Sequence, residues 1–263
     1  MSENSNPLIN IPELPDSIDN AVKNLTDEPT RGIGKTLADV WYLVFGGISH
    51  AADKRRMKYA HALECYHQEL SRSVEEIPEE KRIEPSLQIT AQALENSKYC
   101  IESDELRSMF VKLISNSMNS DYETLVHPSF AEIIKQMSPD DARMLSVLPV
   151  NSNIPIVDYV SKHVMTHTYN TKLCNVYLSK LPGFDVFRES AAISSLSRLG
   201  LLYLEKESYI TNETVYNRYK ENDYFKKLSS EVISKEISHT ADINKYLGQI
   251  TPLGKNFVLT CVR

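Results

Sequence analysis

The first residues whose types and spacing could do chemistry are Gly32-Ile33-Gly34-Lys35-Thr36, which end like a phosphate-binding loop. Such a loop reads Gly-x-x-x-x-Gly-Lys-Thr between a strand and a helix, so that backbone N–H groups cradle phosphates. Here Pro29 holds the place of the first glycine and lacks an N–H, and no strand pattern precedes it. The glycines therefore read as a bend ahead of a helix. His61 and Cys65 share a helical face at i and i+4, with His67 nearby, and His163 and His167 repeat that spacing. Zinc takes four ligands, or three and a water. Neither cluster supplies them, and the second lacks the glutamate of His-Glu-x-x-His. No serine lies in Gly-x-Ser-x-Gly. The expectation is a protein without catalytic residues, cofactor or metal, and with work done by binding.

Two stretches could bind. Residues 36–52 hold the only tryptophan and form the most continuously apolar run, broken by Asp39 and His50. Lys54, Arg55, Arg56 and Lys58 follow it directly. A helix that is apolar nearly all round lies buried in protein or in a bilayer. A membrane-spanning helix needs about 20 apolar residues. This run is shorter and carries Gly46-Gly47, a hinge, in its middle. A buried core or interface helix is thus the leading reading. A membrane-active segment is the competing one, because clustered cations favour anionic lipid. Trp41, Tyr42, Leu43, Val44, Phe45, Ile48, Lys54, Arg55, Arg56 and Lys58 make up the candidate membrane- or partner-binding surface.

The second stretch is near the C-terminus. Helices over residues 139–148, 156–164 and 185–199 precede a strand, Leu201-Leu202-Tyr203-Leu204, with Gly248-Gln249-Ile250-Thr251 as its partner and a closing helix over 252–262. Three helices and two strands in that order make a winged helix-turn-helix. Its recognition helix would offer Arg188, Ser194, Ser195 and Arg198 as nucleic-acid contacts, with cations on phosphates and shorter groups on base edges. Two arginines beside Glu189 are few, which favours protein interaction over DNA. Residues 205–247 are an insertion in the wing. It carries Tyr209, Tyr216, Tyr219 and Tyr224, and a helix with Phe225, Leu228, Val232 and Ile237 as its apolar side.

The positioning elements follow from pattern. Residues 53–76 form a long amphipathic helix whose apolar stripe, Tyr59, Leu63, Tyr66 and Leu70, steps by three and four like a coiled-coil seam. It predicts self-association. Further helices start at Pro85-Ser86, Ser103-Asp104-Glu105 and His127-Pro128-Ser129, with no strand pattern before residue 150. Ser138-Pro139-Asp140-Asp141 has capping-box chemistry. The fold class is mainly α. The plan is a polar arm (1–13), a helical domain (14–137) and a winged-helix-like α+β domain (138–263). A net charge of −6 and a pI near 5.7 argue against coating nucleic acid by bulk electrostatics. Four scattered cysteines and the absence of a signal pattern predict a cytoplasmic protein, or one peripheral to the inner face of the membrane.

The motifs Leu25-Thr-Asp-Glu-Pro29, Asp39-Val-Trp-Tyr-Leu-Val-Phe-Gly-Gly-Ile-Ser-His50, Glu79-Glu-Lys-Arg-Ile-Glu-Pro85, His127-Pro-Ser-Phe-Ala-Glu-Ile-Ile134 and Ile250-Thr-Pro-Leu-Gly-Lys255 resemble the abortive infection alpha family. The likeness is dense over residues 14–141 and patchier beyond. It implies a bacterial anti-phage defence protein and brings no catalytic residue set. The expected function is a non-enzymatic effector that acts through oligomerisation, partner binding or membrane association of the Trp41 segment. Its expected partners are a second copy, a phage-derived or host protein trigger, or an anionic membrane. The alternative is a winged-helix DNA-binding regulator.

Overall fold

The computed structural model describes the backbone of residues 33–45, 54–236 and 238–263, and the side chains within them except those of 33–35, 54–57 and 235. The N-terminal arm, Gly32, the Gly46-Gly47 hinge, Ile48 and Ile237 lie outside these residues.

The helical half contains α1 (Ile33–Phe45), α2 (Lys54–Glu75), α3 (Leu87–Ser97), α4 (Asp104–Asn116), α5 (Phe130–Gln136) and α6 (Pro139–Val147). Two of these starts are capped by side chains. Ser103 accepts from Leu106 N at 3.4 Å, and Asp104 and Glu105 place negative charge on the first turn of α4. The box at α6 is complete: Ser138 N donates to Asp141 Oδ2 at 2.8 Å and Asp141 N to Ser138 Oγ at 3.1 Å. One side of α4, with Leu106, Met109, Phe110, Leu113 and Ile114, is wholly buried. Arg107 ties it to α2, donating to Glu69 Oε1 from Nε at 3.0 Å and Nη2 at 2.9 Å.

The other half departs from expectation. Residues 156–164 are not a helix but part of a strand, β1 (Ile154–His163), which turns into β2 (Tyr169–Val176). Then come α7 (Val186–Arg198), β3 (Leu202–Glu205), α8 (Thr214–Glu221), α9 (Asp223–Lys235), β4 (His239–Ile250), α10 (Pro252–Phe257) and a π-turn (Val258–Val262). The strands form one antiparallel sheet in the order β2-β1-β4-β3. The expected pairing of β3 with the end of β4 holds, with Leu202 opposite Ile250. The fold is therefore mixed α+β. Since α7 follows a β-hairpin rather than a helix, the three-helix run of a winged helix is not formed.

The sheet is covered on both faces. Ile154 and Ile156 point into the main core with Ile193 and Leu196 of α7. Val157, Tyr159 and Ile243 point the other way, against Tyr216 and Tyr219 of α8 and Leu228 and Val232 of α9. Period-two alternation of the strand produces this division. Gly248 permits close packing, because a Cβ there would stand 2.7 Å from Ile156 Cδ1. The main core runs from Leu37 to Cys261, so packing continues across the boundary expected near residue 138. Phe130 meets Phe257 edge-on at 5.1 Å.

Candidate functional site

On α1, Leu37, Ala38, Val40, Trp41 and Phe45 face inward at helical spacing. The Trp41 ring lies 4.6 Å from Phe45, 5.2 Å from Tyr66 and 5.3 Å from His67. Burial pushes the Tyr66 hydroxyl far above its ordinary range. The other side of the same helix is open: Tyr42 is 52% and Leu43 83% exposed, and Val44 is half-buried. Lys58, near the start of α2, is exposed. Ile48 and the side chains of Lys54, Arg55 and Arg56 fall outside what is described.

The stripe on α2 is covered within the chain. Leu63, Tyr66 and Leu70 are buried, while Tyr59 is half-buried with its hydroxyl pushed up to about 12 by burial and then by Glu102. Leu63, Tyr66 and Leu70 are thus satisfied within one copy and lend no support to the self-association expected of this stripe. Among the described residues no helix is long and apolar enough to cross a membrane.

The early chemistry candidates disperse. Gly34, Lys35 and Thr36 belong to α1, and Thr36 Oγ1 donates to Glu84 at 3.4 Å. His61 Nε2 and Cys65 Sγ are 3.7 Å apart. His163 Nδ1 accepts from the backbone N–H groups of Met165 and Thr166, each at 3.2 Å. Among the described residues no three His, Cys, Asp or Glu side chains gather as a metal site.

All four predicted nucleic-acid contacts on α7 have intramolecular partners. Arg188 grips Asp140 from Nε at 2.7 Å and Nη2 at 2.6 Å, and its charge lies 5.0 Å over the Phe184 ring. Ser195 Oγ donates to Asp141 Oδ2 at 2.9 Å, and Arg198 Nη1 to Gln136 Oε1 at 3.0 Å. Ser194 Oγ donates to Ser190 O at 2.7 Å and accepts from Asn175 Nδ2 at 2.8 Å. These groups fasten α7 to α5, α6 and β2. The DNA-binding alternative gains no support from these groups.

Between the sheet and α7 lies a polar cluster that the sequence reading missed. Buried Asp158 of β1 accepts at Oδ1 from Asn175 N and from the Tyr246 hydroxyl, both at 2.8 Å, and at Oδ2 from Lys206 Nζ at 3.1 Å. Lys206 also lies 4.9 Å over the Tyr246 ring. Asn175 sits at φ +55°, in the left-handed region that asparagine tolerates, where the β1–β2 register shifts. Burial, and then the Asp158 charge, drive the Tyr246 hydroxyl far above its ordinary range, so it stays a donor. The carboxylate is engaged by donors at both oxygens. Chemically this is a fastener for the bulge. Its signal was the β-branched run Ile154, Ile156, Val157 and Val160 after a turn-rich stretch.

The architecture is that of an α+β protein with an aromatic helix seated in its core and a sheet clasped by polar pins. A profile of the abortive infection alpha family matches residues 58–261. The chain belongs to the abortive infection alpha family. Searches of curated proteins and of solved structures each returned no match.

Proposed function

We propose that this protein serves phage defence as a non-enzymatic effector that works by attachment, seating the outer side of α1 and the basic start of α2 on an anionic membrane surface. The observation that carries this reading is the two-sidedness of α1. Trp41 and Phe45 anchor the helix, while Leu43 is 83% and Tyr42 52% exposed on its outer side. The basic residues Lys54, Arg55, Arg56 and Lys58 open the next helix, after residues 46–53. A Lys or Arg near an anionic surface contributes about 1 kcal/mol, and burying a leucine roughly 2 kcal/mol. In this reading a phage-derived or host protein acts as the trigger, and the protein works at the inner face of the membrane.

Flotation with phosphatidylglycerol or phosphatidylcholine vesicles, thermal melting and phage plating test it together. Leu43→Asp and Lys58→Glu are expected to keep the wild-type melt, lose binding to the anionic vesicles and lose protection. Trp41→Asp is expected to lower the melt. If the wild type floats equally with both lipids or with neither, the membrane reading fails. A loss of protection by Leu43→Asp in that case assigns the surface to a protein partner.

A further inference from the structure

The two edges of the sheet are guarded differently. An edge strand offers unpaired N–H and C=O groups, which proteins usually blunt with short length, charge or irregularity. β3 is four residues long and leads through Glu205 into Lys206 and Glu207. β2 has eight residues, and all of residues 164–172 are exposed. Its irregular pairing begins beyond Thr171, with register shifts between Thr171 and Leu173 and between Leu173 and Val176, while Lys162↔Tyr169, Ser161↔Asn170 and Val160↔Thr171 run in one register. Its one charge, Lys172, is neutralised by Glu236 at 2.6 Å.

The phase of this edge can be read. His163 N donates to Thr168 O at 2.8 Å, which marks that pair as hydrogen-bonded. Antiparallel pairs alternate. Asn170 therefore turns its backbone groups toward β1, and Tyr169 and Thr171 turn theirs outward. An outward run of this kind is complementary to itself. In an antiparallel pair centred on Asn170, Tyr169 exchanges hydrogen bonds with Thr171 of a second copy, and Thr171 with its Tyr169. The facing side chains are an aromatic and a β-branched residue, a favourable cross-strand pair.

We propose that residues Tyr169, Asn170, Thr171 and Lys172 form the seam of a symmetric dimer, joining two four-stranded sheets edge to edge. The occupant is a second copy of this chain because the two-fold meets every requirement of the edge. It matches the phase of the outward groups, and with Lys172 held by Glu236 it brings no like charges together. It also carries the hairpin tip, where Val164 is 51% and Met165 80% exposed, toward the Asn175 end of the other copy's strand, where the tip gains cover. This surface is remote in sequence from α1, and the inference is independent of the lipid reading.

Charge exchange across the two-fold tests it, with mass measured by light scattering over a concentration series. The wild type is expected to reach dimer mass. Tyr169→Glu with Thr171→Glu sets glutamates face to face and should give a monomer with an unchanged melt, since both positions are exposed. Tyr169→Glu with Thr171→Lys sets opposite charges face to face and should restore the dimer. Asn170→Cys with Cys174→Ser, which removes the exposed native thiol, should form a disulfide-linked dimer on mild oxidation. A wild type monomeric at every concentration overturns the proposal. A dimer that persists in the Glu/Glu pair, or a charge-swapped pair that stays monomeric, overturns it equally.

Discussion

The helical half and the sheet half are held by different means. In the helical half Leu94, Ile101, Phe110, Leu113, Phe130 and Ile134 pack at zero exposure, and the main polar tie between α2 and α4 is Arg107 on Glu69. In the sheet half the apolar layers are crossed by polar side chains that join different segments. Asp158 binds Tyr246, Ser195 binds Asp141, and Glu189 receives the Ser179 N–H and hydroxyl at 2.9 Å and 2.7 Å. Apolar packing is tolerant of exchange between shapes of similar volume. A buried acceptor with several donors is not, because its loss leaves each donor unsatisfied.

The largest effect should come where the two halves share apolar packing. Phe130→Ala removes a ring at zero exposure that faces Phe257, and should cost about 3–5 kcal/mol in denaturant unfolding. Helix and sheet signals should fall together; two separated transitions would break the idea of one shared core. Asp158→Ala comes next. Loss of the acceptor for Tyr246 and Asn175 should cost about 2–3 kcal/mol. Amide exchange should quicken in β1 and β2 and stay unchanged in α4. Equal quickening in both would erase the contrast between local pins and a distributed core.

Ser195→Ala should cost only about 1 kcal/mol, since Asp141 keeps the Ser138 N–H. A loss as large as that at Asp158 would show that α7 depends on this pin more than its geometry implies. The smallest effect is a pH dependence at Glu189. Burial raises its carboxyl above the ordinary 4.5, against the bonds from Ser179, so the folded protein holds this proton more tightly than the unfolded chain. The contribution is therefore fully present below the ordinary value and lost as pH rises through the raised one. Melting curves of Glu189→Gln should show a flatter decline over that interval than the wild type. An identical slope in both would remove Glu189 as the cause.

The contrast also explains what the sequence disclosed. The period of three and four in α2, the stripe on α4 and the start of α6 are local, and each fell within a residue or two of its expected place. The β3–β4 pairing was legible because Leu202 and Ile250 are flanked by turn residues on the expected sides. β1 was misread because its centre, Ile156-Val157-Asp158-Tyr159-Val160, is buried on both faces and lacks the alternation that marks a half-exposed strand. That error hid Asp158 and led α7 to be read as the third helix of a winged helix. The arginines and serines of α7 looked available because their partners, Asp140, Asp141, Gln136 and Asn175, lie on other elements. For Trp41 the pattern gave burial correctly but not the division of its helix into an anchored and an open side.

The C-terminal turn has a consequence for how the chain is made. Phe257, Val258 and Cys261 complete the core beside α4, and Lys112 Nζ meets Val262 O at 2.5 Å across 150 residues of sequence. At ribosomal speeds of about 5–20 residues per second, α4 emerges roughly 7–30 s before the residues that cover it. Through that interval its apolar face stays open to chaperones and to other nascent chains. A premature stop near residue 250 would leave an uncovered groove in place of a working half.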